Sequence, residues 1–308
     1  MSTVDHYGSL HRAATGEGIP ADEVARFAEL LRFAVWANEK YEGEIVAHPR
    51  GLPPGQSDDL LVGRAGGLPD LPVGMPWPAD EEGVPLPFVA SFDCAALPRV
   101  EGLPLPPDGS LLIFLHHEEA YDADDRDEEQ QFARVIHVPA GTGTVAAPPE
   151  DYPSRPFCTD LGFIGPERDL FAVVHAELPE WVGRDEAKLS PFQQRLARDL
   201  PHRRELCAVV DRLWPAGNSA TFQFGGYSWH TGGVSRGHLY DEPELAIAEK
   251  NVRGGDVEEE LQRVRREWIP LVQFEPNDDV YYGRFLIRVE DLAAGRFDRA
   301  VSWTEFTE

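Results

Sequence analysis

Lysine is nearly missing from this 308-residue chain: Lys40, Lys188 and Lys250 stand against 25 arginines. Basic charge is scarce altogether, since 54 acids oppose 28 bases and leave a formal net charge of −26. A field of that sign repels phosphate backbones and anionic membranes, so nucleic acid and lipid surfaces are not expected as partners. It attracts basic proteins and cations instead.

Cysteine is equally sparse. Cys94, Cys158 and Cys207 are odd in number and far apart, without the paired spacing of zinc or redox sites, so reduced thiols and a cytoplasmic location are expected. No apolar run approaches the roughly eighteen residues of a membrane span, and the start, Met1 to His6, lacks the basic-then-apolar order of a signal peptide. Gly141-Thr142-Gly143-Thr144 has neither the lysine nor the following helix of a phosphate loop, so no nucleotide cofactor is expected.

What the chain has in abundance is glycine and proline, most densely in Gly66 to Pro78, where they fill seven of thirteen positions. Four prolines fix φ and remove donors while three glycines open left-handed angles, so this stretch predicts a rigid turning loop. Trp77, flanked by Pro76 and Pro78, is its packing anchor or a pocket wall.

Around that loop the periodicity sets the elements. Residues 1–18 are polar and predict a flexible leader, ahead of a single domain over 19–308. Apolar positions Val24, Phe27, Leu30, Leu31, Ala34 and Val35 predict one amphipathic helix from Pro20 to Lys40. Strands are predicted over Asp58–Gly63, Pro85–Asp93, Gly109–His116, Arg134–Val138 and Leu170–Ala176. Ser190-Pro191-Phe192-Gln193 is a capping box, with helices to about Leu200 and from Arg203 to Trp214. Two more helices, Pro243–Asn251 and Asp256–Glu267, precede strands at Trp268–Glu275 and Gly283–Val289.

These elements repeat. A double glycine at Gly66-Gly67 followed by two strands reappears as Gly225-Gly226 followed by two strands, which predicts a degenerate internal duplication over about 58–138 and 220–300. Helical insertions at 188–214 and 243–267 complete an α+β fold with antiparallel-rich sheets and flanking helices.

The segments that carry the repeat also resemble a known family, the YwqG-like bacterial domain of unknown function. The resemblance lies in Gly66-Gly67-Leu68-Pro69 with Trp77-Pro78, in Phe88 to Asp93 with Leu97-Pro98, and in Gly109 to Leu115. It continues in Gly225-Gly226-Tyr227, Trp268 to Glu275 and Gly283 to Phe297. It implies an α+β protein with antiparallel-rich sheets and no assigned activity. The chain departs from the family pattern at Ser228-Trp229-His230 and at Tyr282.

Several motifs fail on context. Gly233-Val234-Ser235-Arg236-Gly237 has the spacing of a nucleophile elbow but no apolar strand before it. The acidic stretch Asp122 to Glu129 carries Arg126 where a calcium loop needs an oxygen ligand, and predicts a solvated hairpin tip. His116-His117 and the pair His230 and His238 do not make a metal set. The remaining possibility is a cleft between the two glycine turns, lined by Arg64, Asp70 and Trp77 from one and Trp229, His230 and Gln273 from the other, suited to a small molecule or peptide. A non-enzymatic binding, immunity or regulatory module is therefore the expected function, with a small-molecule hydrolase acting in that cleft as the alternative.

Overall fold

The computed structural model describes residues 5–41, 44–45, 59–149, 163–215, 220–229, 234–235, 238–239, 243–252, 256–275 and 281–306. The protein is α+β, built on one large antiparallel sheet. From one edge to the other its strands run Val301–Ser302, Tyr281–Arg288, Trp268–Phe274, Phe222–Gly225, Arg32–Asn38, Arg168–Glu177, Leu61–Ala65, Phe88–Asp93, Ser110–Leu115 and Ala133–Val138.

The sheet curls until its two halves meet. Phe92 and Phe224 lie on strands separated by three others, yet their rings are 4.6 Å apart and edge-on. Gly283 shows the same closure: a side chain there would come within 2.6 Å of Leu115 on the far half and 2.5 Å of Phe274. Alternate residues of each strand fill the enclosed space, among them Phe33, Val35, Phe92, Ile113, Val174, Phe224 and Phe285. Near-barrel curvature of this kind leaves a packed core rather than a channel. Pro270 sits within a strand beside a register shift between Pro270 and Val272, where a missing ladder donor is tolerated.

Most predicted strands and helices occupy their expected places. Ser190 does form the capping box, with Gln193 donating its backbone N–H to Ser190 Oγ at 3.1 Å and its side chain accepting from the Ser190 amide at 3.1 Å.

Three expectations are corrected. The proposed helix from Pro20 to Lys40 is a helix only over Ala21–Ala28; Arg32–Asn38 is the central strand of the sheet. Its run Phe33-Ala34-Val35-Trp36-Ala37 is buried on both faces, a setting in which β-branched and aromatic side chains pack better on a pleated strand than on a helix. The leader 1–18 is not bare, because His6–Gly16 is a helix capped by Asp5 that buries Leu10 and Ala14 in the core. The acidic stretch is corrected in part: it lies in the connection between the antiparallel neighbours Ser110–Leu115 and Ala133–Val138 and exposes Asp122, Asp124, Asp125, Asp127 and Glu128, but that connection forms two short helices, His117–Asp122 and Arg126–Glu129, and Glu129 is fully buried. Glu129 takes a 2.5 Å bond from Arg126 and a 2.6 Å bond from the backbone amide of Thr304, so the stretch clamps the segment Ser302–Glu305.

Candidate functional site

The two double-glycine turns are made from the same parts. All four glycines have φ between 67° and 74°, which L side chains rarely adopt. Two residues before each pair stands a long polar side chain that reaches round to the turn. Arg64 donates to the Leu68 carbonyl at 2.8 Å, and Gln223 donates to the Gly225 carbonyl at 3.1 Å and to the Tyr227 carbonyl at 3.3 Å. A glutamate faces each second glycine. A side chain at Gly67 would come within 2.7 Å of the Glu167 carboxylate, and one at Gly226 would overlap the Glu177 carboxylate.

The turns do not meet. Arg64 is in register with Asp169, whereas Gly225 is in register with Ala34 and, through it, with His175. Six residues of strand separate those positions, about 20 Å at the usual rise. The single cleft expected between the turns is corrected accordingly, because the antiparallel central pair carries them to opposite ends.

The candidate residues fall into separate groups. Arg64 and Asp70 form an ion pair at 2.7 Å, with Glu167 3.5 Å from the Arg64 Nε. Trp77 donates its indole N–H to the Leu86 carbonyl at 2.8 Å and meets Phe114 edge-on at 5.7 Å, beside a small outer cluster of Leu71, Leu86, Phe88, Leu112 and Val138. It is a packing anchor. Trp229 and Gln273 belong to the second turn, and His230 lies outside the described residues.

At that second turn the outer face of the sheet holds a buried polar network. Gln273 Oε1 accepts from the Trp229 backbone amide at 2.9 Å and from Arg284 Nε at 3.3 Å, while its Nε2 donates to the Tyr227 carbonyl at 2.8 Å. The Trp229 indole donates to Gln223 Oε1 at 2.8 Å. Arg284, 1% exposed, also donates to the Trp229 carbonyl at 2.9 Å and lies 3.6 Å from Glu305. Ser228 donates its hydroxyl to the buried Glu244 at 2.7 Å.

Glu177 is the hub that the sequence did not reveal. Its carboxylate accepts from the Tyr227 amide at 2.7 Å, the Gln223 side chain at 3.2 Å and the Trp36 indole at 3.3 Å. Burial pushes its carboxyl up to about 7, against the downward pull of those donors and of the Arg32 guanidinium. The faint signal was the parallel between Gln223 and Arg64, each two places before its glycine pair.

Other chemistry-bearing residues are placed differently. Burial raises the Cys94 thiol to about 12 and that of Cys207 to about 11, so neither supplies a thiolate at neutral pH. Val234–Ser235 pairs with His238–Leu239 as a two-stranded ribbon, whereas a nucleophile elbow joins a strand to a helix; Gly233, Arg236 and Gly237 lie outside the described residues. Among the described residues, no group of three or more His, Cys, Asp or Glu side chains converges as metal ligands would. No helix among them is long and apolar enough to cross a membrane.

No match is found among curated proteins. Residues 63–305, which include both glycine turns and the polar network, match a family defined by a domain of unknown function, DUF1963. The chain belongs to the DUF1963 family.

Proposed function

We propose that this chain is a non-enzymatic, cytoplasmic binding module of the YwqG-like type, which takes a basic partner protein in an immunity or regulatory role. The observation that carries this reading is where the polar side chains at the glycine turns spend their hydrogen bonds. Arg64, Glu177, Gln223 and Gln273 all bond to the chain's own turns, holding backbone that would otherwise be unpaired. A charge of −26 outside such an interior favours association with a basic surface, such as that of a nuclease toxin. The two matched turns are consistent with an origin by duplication of a glycine-turn and two-strand unit.

Immobilised protein incubated with its own cell extract at low and high salt tests the reading. A partner of basic isoelectric point should be retained at low salt and released as salt rises, because screening weakens exposed charge pairs. Retention that ignores ionic strength contradicts it.

The hydrolase alternative rests on Glu177, whose carboxyl near 7 matches the range of a general acid or base. A panel of small ester, amide and phosphoester substrates decides it: turnover lost in Glu177→Gln would favour the enzyme.

A further inference from the structure

The first glycine turn leads into a surface that the fold does not explain. Among the described residues the large exposed hydrophobics are Leu61, Val73, Met75, Val84 and Val145, and four of the five lie on two neighbouring loops, 70–86 and 141–148. Val73 is 72% exposed. Scattered single apolar residues need no explanation, but a concentration of them marks an interaction surface.

This surface is rigid. Asp70–Pro72 pairs with Thr144–Ala146 in a two-stranded sheet of its own, and the Val73 amide extends that ribbon by donating to the Gly143 carbonyl at 2.9 Å. Leu71 opposite Val145 and Val73 opposite Gly143 put Val73 and Val145 on one face as diagonal neighbours. That face starts on the outer cluster through the buried Leu71 and runs into solvent through Val73 and Val145. The adjoining hairpin is held by Asp80, whose side chain accepts from the Glu82 amide at 2.9 Å and the Val84 amide at 2.8 Å while its own amide donates to the Val84 carbonyl at 3.0 Å. Trp77 ties the 70–86 loop to the sheet. Apolar side chains on such a framework lose little entropy when covered.

Its charge is acidic apart from Arg64, whose guanidinium pairs with Asp70 at 2.7 Å. From Ala65 to Pro98 the chain has five acids, Asp70, Asp80, Glu81, Glu82 and Asp93, and no lysine, arginine or histidine. Glu81 and Glu82 are exposed beside Val84. A second copy would bring like charges together, and an anionic membrane would be repelled. The complementary occupant is cationic and apolar at once.

We infer that the ribbon and hairpin around Val73, Met75, Val84 and Val145 form a preorganised docking platform for a basic amphipathic segment of a partner protein. Met75 suits such a seat, because its unbranched thioether adapts to differing apolar partners. The inference rests on the binding-module reading and gives that module its contact surface.

Fluorescence anisotropy with a labelled synthetic peptide of alternating leucine and lysine pairs at helical spacing tests it, in low and moderate salt. The double variant Val73→Ser/Met75→Ser should bind at least about tenfold more weakly, in line with losing two apolar anchors. Leu61→Ser, an equally exposed site off the platform, should bind like wild type. Equal affinity for wild type and the double variant, with salt dependence intact, overturns the platform and leaves the binding module standing. Absence of peptide binding at any salt overturns both. Two further outcomes also overturn the platform's assignment: a dimer in sedimentation equilibrium that the double variant disperses, which gives the surface to a second copy, or binding to phosphatidylglycerol vesicles that the double variant abolishes. Thermal melting of each variant verifies folding, and since both substituted side chains are exposed their transitions should match wild type.

Discussion

Gln130 hydrogen-bonds both backbone polar groups of Ser302, accepting from its amide at 2.7 Å and donating to its carbonyl at 3.1 Å. Gln130 precedes one edge strand of the sheet and Ser302 lies in the other, so a single side chain supplies ladder-like bonds where the curled sheet closes. Ser302 is fully buried, and water cannot replace those bonds. Gln130→Ala should cost about 1–3 kcal/mol in urea denaturation, the usual penalty for stranding buried backbone groups. A change below a few tenths of a kcal/mol would mean that the edges are held together elsewhere.

Glycine substitutions separate backbone strain from crowding. Gly226→Ala meets both, a φ of 74° and the Glu177 carboxylate where its methyl must go. Gly102 has a similar φ of 84° with nothing within 4 Å. Gly102→Ala should therefore cost about 1–2 kcal/mol, the strain alone. Gly226→Ala should cost about 3 kcal/mol or more, or prevent folding. Equal melting temperatures for the two variants would refute the close approach of Glu177.

The same carboxylate sets a pH dependence. Its folded value of about 7 lies above the ordinary 4.5, so the native state holds the proton more tightly than the unfolded chain. The associated stability is fully present below about 4.5 and is lost as pH rises through about 7. Glu177→Gln removes that slope. Between pH 4.5 and 7 the stability of wild type should fall relative to the variant by ~1–2 kcal/mol, after allowance for the partial exposure of the residue. Parallel stability curves would show that Glu177 does not titrate in this range.

Cys94 gives an opening probe. It is fully buried and its thiol is raised to about 12, so modification by a thiol reagent at neutral pH should proceed only as the protein unfolds. The modification rate at Cys94 should match the unfolding rate and rise with urea. Rapid labelling of Cys94 in the native protein would contradict the packing of the strand end at Asp93.

Much of the fold was legible because its strands are short and well punctuated. Pro85–Asp93, Gly109–His116 and Trp268–Glu275 are bounded by turn residues and carry β-branched or aromatic side chains, and each is a strand within a few residues of its expected limits. The central strand was hidden because Arg32–Asn38 is buried on both faces and shows no alternation; its apolar residues could be joined to those of the preceding helix at helical spacing. Glu129 was hidden for a related reason: nothing local distinguishes it from Glu128, and its burial comes from Thr304, 175 residues away. At the glycine turns the residue types were visible and their partnership was not. Arg64 with Asp70 and Trp229 with Gln273 are each brought together, but strand direction, which the sequence leaves open, puts the two sets at opposite ends of the central pair.

Hydrogen exchange on the full chain, with and without the leucine–lysine peptide at low salt, tests the docking platform most directly. The account predicts slowed exchange confined to amides of 70–86 and 141–148, with no change at Tyr227 or Trp229, whose amides are already bound to Glu177 and Gln273. Protection centred on residues 225–229, or spread evenly over the acidic surface, would contradict it.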